Sequence, residues 1–430
     1  MLLSSKKVGA IIRKEETRRY VVPSAPGKRH SGDTKVTDLL YKCYGQAILD
    51  DDREEDFEEI LKVIKDRYDS IINGLELTIS LDDEFKTIRE NFSKKIGRDY
   101  AASRGEYLNG IIMAAYLGYE FIDAAEVIFL MKKENLTLRR QTKYYPRDWR
   151  IQSGQSFLDS MDLIQTEQIH TFSRGGSDIT GSIVARAVHA DMYENWTDVS
   201  GFLIADPRII KNPKAIDVIT YRELRELSYM GATVLHEDAI FPVRREGIPI
   251  NIRNTNAPED KGTLIVEATC QKPRFTITGV AGKKDFASIT VEKAMMNSEV
   301  GFCRKVLTVF EDNGVSIEHM PSGIDTMTIF VHQDEFAERE QKVIAGIHRA
   351  VEPDFLELES DLALIAVVGR GMRATRGTSG RIFSALAHAN VNVKMIDQGS
   401  SELNIIIGVR NHDFDAAIKA IYDIFVNTRI

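Results

Sequence analysis

A pair of glycines between a predicted strand and a predicted helix is the feature that most constrains this sequence. Residues 167–172 (EQIHTF) alternate polar and apolar side chains, which is typical of a short strand. Gly175 and Gly176 follow, and they allow the backbone to turn tightly and approach a ligand. Ser177 and Asp178 then stand where a helix should begin. A helix start carries unpaired N–H groups and suits an anion, although an ordinary capped helix after a glycine turn would show the same pattern.

Residues on either side of this junction strengthen the prediction of a ligand site. Arg174 supplies a guanidinium that can hold a carboxylate or a phosphate through two hydrogen bonds. A second predicted strand, 192–196, is followed by Thr197 and Asp198, which brings a hydroxyl and a carboxylate to the carboxyl edge of the sheet. Ligands bind at that edge in α/β folds. The sequence therefore predicts an α/β fold with a small-molecule site at this edge.

The composition excludes several classes of protein. The chain has 430 residues, which suits two or three domains, and its net charge of −8 argues against a general nucleic-acid surface. Its three cysteines are scattered without a CxxC pair, which fits a reducing cytoplasm and offers neither a disulfide framework nor a zinc site. The most apolar stretch, 111–131, contains Glu120, Asp123 and Glu126, so we expect a buried helix and strand there and no membrane span.

Three runs in fixed order carry a resemblance to a known family. The run RGGSD, followed by ENWTDVSGFLIADPRII and LSYMGATVLHEDAI, closely resembles aspartate kinases, and the resemblance covers nearly the whole chain. It implies the amino-acid kinase fold, a three-layer α/β/α sandwich with a mostly parallel sheet. It also implies transfer of the ATP γ-phosphate to the side-chain carboxylate of L-aspartate, which gives 4-phospho-L-aspartate on the route to lysine, threonine and methionine. Mg²⁺ would bridge the phosphates, and the substrate carboxylate would attack directly.

The resemblance assigns roles to two groups of residues. The residues that would hold or orient aspartate are Arg174, Ser177 and Asp178, with Thr37 and Glu106 assisting. The residues that would lie around the nucleotide are Gly175, Gly176, Thr197, Asp198, Leu203, Asp206 and Arg208. The segment SAPGKR, at 24–29, would form part of the active-site floor, although a surface turn would also explain it. Ser103 and Glu106 have the spacing of a capping box before a predicted helix, so a purely structural role for Glu106 stays open.

One departure from the family pattern bears on activity. Aspartate kinases begin with a strand and a KFGG motif, followed by Ser or Thr, whose lysine approaches the transferred phosphoryl group. This chain enters the pattern at the helix that follows, and neither Lys6 nor Lys7 matches the motif. Phosphoryl transfer depends on positioning and charge stabilisation, so one missing cation can cost several orders of magnitude in rate. Two interpretations stay open: a truncated or mis-assigned start, and a catalytically impaired amino-acid-sensing protein or regulatory subunit.

The C-terminal half contains an internal duplication. Five apolar positions recur without gaps at an offset of 76 residues: Val306, Phe310, Val315, Ile317 and Val331 pair with Ile382, Leu386, Val391, Val393 and Ile407. Each copy has the pattern strand, glycine loop, helix, strand, hairpin, strand, and the period is too long for a solenoid repeat. The two α+β copies resemble ACT domains, the paired amino-acid sensors of aspartate kinases. We therefore predict a catalytic domain at 1–270 and ACT domains at 271–360 and 361–430.

The resemblance to ACT domains implies an effector site and an assembly. The residues of the first copy near the positions that hold the inhibitory amino acid are Ser298, Phe302, Ser316, Ile317, Glu318 and Ser322. The implied effector is lysine, with threonine as the alternative. Since ACT pairs usually assemble across subunits, we expect a homodimer or homotetramer, with no nucleic-acid or membrane partner.

A second glycine loop invites a different function. Gly369 and Gly371 look like the start of a GxGxxG dinucleotide fingerprint, but Ala374 stands where the third glycine belongs. No acidic partner for a ribose follows at suitable spacing, so the motif is weak evidence for a nicotinamide oxidoreductase. The family resemblance places it in the loop of the second ACT copy.

Overall fold

The computed structural model describes residues 2–49, 54–128, 156–158, 163–165, 168–170, 176–232, 235 and 237–428. The chain divides into two compact units. The N-terminal unit comprises Met1–Ser200 and Leu235–Lys261, and the C-terminal unit comprises Gly201–Val234 and Gly262–Ile430. Both units mix helices and strands, as the predicted α/β class requires.

In chain order the helices and strands are α1 (Leu2–Arg13), β1 (Tyr20–Val21), α2 (Val36–Ile48), α3 (Glu54–Gly74), α4 (Asp82–Ser93), α5 (Arg98–Leu117), β2 (Glu120–Ile122), α6 (Ala124–Val127), β3 (Ser156–Leu158), β4 (Leu163–Gln165), β5 (Gln168–His170), α7 (Gly176–Ala187), β6 (Tyr193–Thr197), β7 (Val218–Thr220), α8 (Tyr221–Tyr229), α9 (Glu237–Glu246), β8 (Ile250–Asn254), β9 (Thr263–Val266), β10 (Gly279–Glu292), α10 (Phe302–Asp312), β11 (Thr326–His332), α11 (Gln333–Ala337), α12 (Glu340–Val351), β12 (Phe355–Val368), α13 (Thr378–His388), β13 (Met395–Asp397), β14 (Asn404–Arg410) and α14 (Phe414–Tyr422). Short 3₁₀ turns lie at Met296–Ser298, Arg370–Ala374 and Asn411–Asp413, and a π-helical turn lies at Asp423–Asn427. No helix among these described residues is both long enough and apolar enough to cross a membrane.

Parallel strand pairs form most of the sheet structure described in the N-terminal unit. Strands β1 and β2 both pair in parallel with β3, so β3 is the central strand of that sheet. Strands β6 and β8 also pair in parallel, with Tyr193 opposite Ile250. Parallel neighbours need long crossover connections, which the intervening helices supply. The strand predicted before the glycine pair is present as β5, but it forms an antiparallel hairpin with β4.

Helices α2 to α5 enclose the main apolar cluster of the N-terminal unit. Phe92 is fully buried at its centre. Its ring makes edge contacts with Tyr44, Phe57 and Tyr100, at centroid distances of 5.4, 6.4 and 6.2 Å. Burying a side chain of this kind contributes about 1.5–3 kcal/mol, so this cluster holds the four helices together.

The capping-box interpretation of Ser103 and Glu106 is wrong. Helix α5 begins at Arg98, so both residues lie in the helix interior. The Ser103 hydroxyl donates to the carbonyl of Tyr100 at 2.8 Å, which is a bond within the helix. A capping box needs its serine at the helix boundary, and Gly97 occupies that boundary here. Glu106 is therefore a buried acid inside a helix and not a cap.

We expect two of the three thiols to react in the native protein. Cys43 is fully buried, whereas Cys270 and Cys303 are exposed. Burial, with a smaller contribution from the charge of Glu58, raises the pKa of the Cys43 thiol to about 12, so little thiolate forms. Titration with an aromatic disulfide reagent at pH 8 should modify two thiols per chain before unfolding and all three after denaturation. Fast reaction of Cys43 in the native chain would contradict this burial.

The C-terminal unit contains a five-stranded antiparallel sheet in the order β11–β10–β12–β14–β13. Strands β10 and β12 each have 14 residues and pair along their whole length. The start of β10, at Gly279–Lys283, lies beside the end of β12, while the rest of β10 lies between β11 and the start of β12. The pairing shifts register around Phe286. Consequently β10 pairs with strands of both copies of the duplicated pattern.

The repeated apolar positions occupy matching places in this sheet. Val306 on α10 and Ile382 on α13 are both fully buried, as are Val331 on β11 and Ile407 on β14. In each copy, the buried helix position and the buried strand position are therefore the same distance apart in the chain. The offset predicted from the sequence corresponds to two similar structural copies.

Candidate active site

A loop after β1 connects the predicted substrate residues of two helices. The backbone N–H of Ala25 donates to Glu106 Oε1 at 3.2 Å, and Asn109 Nδ2 donates to the carbonyl of Ser24 at 2.8 Å. Glu106 and Asn109 are three residues apart on α5 and therefore share one face. On the other side, the hydroxyls of Ser24 and Ser177 lie 2.8 Å apart. The Ser24–Ala25 loop thus brings Glu106 of α5 and Ser177 of α7 to one place.

The close approach of α5 to this loop depends on a glycine. A Cβ atom at Gly105 would lie 3.0 Å from the Cβ of Ala25 and 3.8 Å from Cγ1 of Val36. The contact with Ala25 is tighter than packed side chains ordinarily allow, so the missing side chain makes room for the loop. Thr37 follows Val36 in the first turn of α2 and is half-buried. Because Val36 lies against Gly105, the start of α2 is beside the residue of α5 that precedes Glu106.

Asp178 lies in the first turn of α7 and is held by β6. Asn195 Nδ2 donates to Asp178 Oδ1 at 2.9 Å, and the Tyr193 hydroxyl donates to the Asp178 carbonyl at 3.1 Å. Desolvation and then the charge of Asp178 raise the pKa of Tyr193, so this hydroxyl stays protonated and remains a donor. A Cβ atom at Gly181 would lie 2.8 Å from the same hydroxyl, so glycine is needed there. The Asn195 bond orients the carboxylate of Asp178, and the Tyr193 bond holds its backbone at the helix start.

The predicted hydroxyl–carboxylate pair stands at the end of β6. Thr197 Oγ1 donates to Asp198 Oδ1 at 3.2 Å. The carbonyl of Thr197 accepts bonds from both the backbone N–H and the hydroxyl of Thr255, at 2.8 and 3.0 Å. Thr255 follows β8, so the ends of these two parallel strands are joined. Thr197 and Asp198 therefore lie at the carboxyl edge of the strand pair, as predicted.

An ion cluster that the sequence analysis missed holds the second half of the loop. The Asp33 carboxylate accepts from the backbone N–H, Nε and Nη2 of Arg29, each at 3.0 Å, and from Nη2 of Arg67 at 2.5 Å. Arg67 Nη1 also donates to the carbonyl of Thr34 at 2.8 Å. The hydrogen bonds from Arg29 come first among the causes that hold the pKa of Asp33 far below its usual range. The sequence signal available was an acid four residues after an arginine.

The remaining predicted nucleotide residues belong to the C-terminal unit. Leu203 forms an antiparallel bridge with Ala215. Arg208 Nε lies 3.0 Å from both carboxylate oxygens of Asp206, and its Nη2 lies 2.6 Å from Oδ2. The Arg208 side chain is 87% exposed, and ion pairs at such exposed sites are weak. The Arg208 guanidinium is therefore able to leave Asp206 and bind a phosphate instead.

Two predicted residues, Arg174 and Gly175, lie outside the described residues. Gly176 is the first residue of α7, so the helix begins where the sequence predicted. Among the described residues, no group of three or more His, Cys, Asp or Glu side chains is arranged to hold a metal ion.

The predicted effector residues lie at two places in the first copy of the repeat. Ser298 is exposed in a 3₁₀ turn, and Phe302 begins α10 with its ring buried in the core. The segment from Ser316 to Ser322 lies along β11, because the N–H of Glu318 donates to the carbonyl of Phe330 at 2.8 Å and Ser322 bridges to Met327. Within this segment the Glu318 side chain is only 6% exposed.

The dinucleotide interpretation of the second glycine loop does not fit the structure. A Cβ atom at Gly369 would lie 2.7 Å from the Cα of Ile277, and one at Gly371 would lie 2.6 Å from the carbonyl oxygen of Thr276. These glycines permit close packing of the chain on itself. The loop backbone is therefore covered by protein at the positions where a pyrophosphate would have to lie.

The groups gathered in the N-terminal unit suit a small zwitterion. They combine carboxylates (Glu106 and Asp178), paired hydroxyls (Ser24 and Ser177) and the N-terminus of a 12-residue helix. Carboxylates bind an ammonium group, and a helix start binds a carboxylate or phosphate. An amino acid carries both kinds of charge.

Comparisons with known proteins extend beyond this site to the whole chain. Residues 7–254 match the amino acid kinase family, and residues 365–425 match the ACT domain. Aspartokinase 3 of Bacillus subtilis (strain 168) is 37% identical over 434 residues, which covers 97% of this chain and 94% of the relative. The crystal structure of Clostridium acetobutylicum aspartate kinase has a TM-score of 0.90 and 49% identity, covering 98% of this chain and 96% of that one. The crystal structure of E. coli aspartokinase III in complex with aspartate and ADP has a TM-score of 0.68 and 20% identity, covering 98% of this chain and 96% of that one. At this identity the similarity shows the fold alone.

Proposed function

We propose, from the premise that this chain belongs to the amino acid kinase family and is an aspartate kinase, that it transfers the γ-phosphate of ATP to the side-chain carboxylate of L-aspartate. The product would be 4-phospho-L-aspartate, at the head of lysine, threonine and methionine biosynthesis. The observation that carries the proposal is the Ser24–Ala25 loop, which joins Glu106 and Ser177 in one place.

Different site residues would bind the different charged groups of aspartate. The Glu106 carboxylate would bind the ammonium group, while Arg174 and the start of α7 would bind a carboxylate. The Ser177 hydroxyl, positioned by Ser24, would orient the substrate. Thr37, in the first turn of α2, would assist. No nucleophilic side chain is needed, because the substrate carboxylate attacks the phosphorus atom directly, and catalysis then consists of positioning and charge stabilisation.

ATP would lie against the segments that end in Thr197–Asp198 and span Leu203–Arg208, with Gly175 and Gly176 close to its phosphates. The E. coli aspartokinase III structure with aspartate and ADP supports a nucleotide in this fold. Mg²⁺ commonly binds through one or two carboxylates together with substrate phosphates, and the oxygen donors of Asp178 fit that requirement. When bound, the ion would neutralise charge on the phosphates. Asp178, oriented by Asn195, would hold it.

The duplicated C-terminal region would regulate the reaction. Lysine is the effector we propose, bound near Ser298, Phe302 and the Ser316–Ser322 segment, with threonine as the alternative. A structure of E. coli aspartokinase III with lysine and aspartate supports this choice. A homodimer or homotetramer built through the ACT domains, acting in the cytoplasm, completes the proposal.

Formation of aspartyl phosphate tests the proposed activity. The purified chain is incubated with L-aspartate and Mg-ATP, and the acyl phosphate is trapped as its hydroxamate. We expect a signal well above that of an Arg174→Ala control, because the guanidinium would hold the substrate carboxylate. A folded, lysine-binding chain that gives no more hydroxamate than this control would instead support the impaired sensor.

A further inference from the structure

The guanidinium of Arg67, on α3, is buried beside the loop that connects β1 to α2. The side chain of Arg67 is 3% exposed, and that of its partner Asp33 is 5% exposed. Nη2 donates to Asp33 Oδ1 at 2.5 Å, and Nη1 donates to the carbonyl of Thr34 at 2.8 Å. One planar guanidinium therefore holds two successive residues of the loop, and a lysine ammonium could not reproduce this two-pronged geometry.

The cost of burying this guanidinium indicates a role beyond stability. Desolvation is the first of the causes that lower the pKa of Arg67, and the charge of Arg29 follows it. The Nε of Arg67 is buried and has no hydrogen-bond partner within the described part of the chain. A buried ion pair often adds no net stability relative to an apolar pair, because desolvation of the two charges offsets their attraction. The specific consequence of the pair is the position that it gives to the loop.

Arg67 holds a closed turn of this loop and not a single side chain. The Asp33 carboxylate accepts from the backbone N–H of Arg29 at 3.0 Å as well as from Arg67. The backbone N–H of Asp33 in turn donates to the carbonyl of His30 at 3.0 Å. The backbone from Arg29 to Asp33 is thus closed around the carboxylate that Arg67 binds.

The same turn of α3 also holds α5. Tyr68 follows Arg67 and is fully buried, and its hydroxyl donates to the carbonyl of Gly105 at 2.7 Å. Gly105 precedes Glu106, whose carboxylate accepts from the N–H of Ala25 at 3.2 Å. Two adjacent residues of α3 therefore hold the end of the loop and the part of α5 that the start of the loop contacts.

We propose that Arg67 is a positioning residue for L-aspartate, acting through Asp33. The ion pair holds the end of the loop on α3, so that the Ser24–Ala25 segment stays in contact with Glu106 and Ser177. The inference rests on the proposed function and adds to it a residue that acts on the substrate site through the loop.

Arg67→Lys tests the proposal, because it keeps a positive charge opposite Asp33 but removes the second prong that reaches the carbonyl of Thr34. We expect the dissociation constant of L-aspartate to rise about tenfold, since a misplacement of about 1 Å away from the chemistry can cost about 100-fold. The dissociation constant of Mg-ADP should stay within about twofold of that of the unaltered chain, because the loop contacts the proposed substrate residues. Calorimetric titration of the full chain measures both constants.

Arg89→Lys is the matched control. Arg89, on α4, pairs with Glu58 of α3, and its side chain is 51% exposed, so the same exchange is made in an ion pair of the same helix away from the loop. Its dissociation constant for L-aspartate should stay within about twofold of that of the unaltered chain. Chemical denaturation accompanies each variant. A loss of stability in Arg67→Lys with unchanged L-aspartate binding would show a structural role alone and overturn the inference, as would equal weakening of L-aspartate and Mg-ADP binding.

Asp33→Asn provides a second, independent variant and should also weaken L-aspartate binding about tenfold, because it removes the charge through which Arg67 acts. Residues that act as one unit have non-additive effects. The double variant should therefore bind L-aspartate within about twofold of the weaker single variant. A loss equal to the product of the two single losses would contradict action through Asp33.

Hydroxamate formation by the unaltered chain is measured separately and tests the proposed function. Selective weakening of L-aspartate binding in Arg67→Lys supports the inference even if the chain forms no hydroxamate. Normal hydroxamate formation together with unaffected L-aspartate binding in Arg67→Lys would reject the inference alone. Absence of L-aspartate binding by the unaltered chain would overturn both.

Discussion

Asp178→Asn is expected to lower kcat/KM for hydroxamate formation by about 100-fold, since a charged contact contributes about 1.5–3 kcal/mol and every 1.4 kcal/mol is tenfold. The substitution removes the negative charge and keeps the shape of the side chain. Its amide oxygen can still accept from Asn195, as the Asp178 carboxylate does at 2.9 Å. The loss would therefore report the charge proposed to hold the magnesium ion of the nucleotide, and not a collapse of the helix start.

Asp191→Asn provides the comparison for this variant. Asp191 is exposed in the bend before β6, so the same change of charge occurs in the same unit but beyond the C-terminal end of α7 rather than at its start. Its kcat/KM should stay within about twofold of the unaltered chain, because surface substitutions of this kind have small effects. Equal activities for the two variants would show that Asp178 has no part in the reaction.

Glu223→Ala is expected to lower the free energy of unfolding by about 3–5 kcal/mol, the usual cost of removing one partner from a buried ion pair. Glu223 is fully buried and binds Arg370 Nη1 at 2.9 Å. It also accepts from Thr278 at 2.5 Å and completes a capping box with Thr220. Without it a largely buried guanidinium and a buried hydroxyl lose their partner together. Chemical denaturation at pH 7 measures the difference.

The effect of Glu223 on stability should depend on pH. Burial disfavours its charge, but hydrogen bonds from Thr278, Arg370 and Thr220 outweigh burial and lower the pKa of this carboxyl. A lowered pKa in the folded state stabilises the protein above the ordinary glutamate value, near 4.3, and this contribution is lost as the pH falls through the folded value. The difference in the free energy of unfolding between the unaltered chain and Glu223→Ala should therefore become smaller below about pH 4. Glu311→Ala, an exposed acid at the end of α10, should differ from the unaltered chain by less than about 0.5 kcal/mol at any of these pH values.

Features that depend on nearby residues were predictable from the sequence. The start of α7 after the glycine pair, the end of β6 at Thr197 and the matching copies in the C-terminal half are all present in the structure. The amino-acid kinase fold with an ACT domain and the aspartate kinase function are confirmed. Hydrophobic periodicity and short motifs depend on residues close together in the chain, so the sequence shows them directly. The particular roles of the site residues stay predictions.

The capping-box error shows where local reasoning ends. Ser103 and Glu106 have the right spacing, but a cap is defined by where the helix begins, and Gly97 rather than Ser103 stands at that boundary. The structure gives Glu106 a different partner, the backbone of Ala25, 81 positions away in the sequence. Spacing alone cannot distinguish a serine at a helix boundary from one in a helix interior, because both have the same neighbours in sequence.

The sequence by itself determined the glycine junction before α7, the strand that ends at Thr197, the duplication and the family. Only the tertiary structure decided which distant groups meet: Ser24 with Ser177, Glu106 with Ala25 and Glu223 with Arg370. It also showed that β10 pairs with strands of both copies of the repeat. These contacts join residues far apart in the chain, and the one at Glu223 forms because a buried polar group must find partners wherever packing brings them together. A short stretch of sequence does not show which residues the folded chain brings together, so these contacts could not be predicted from it.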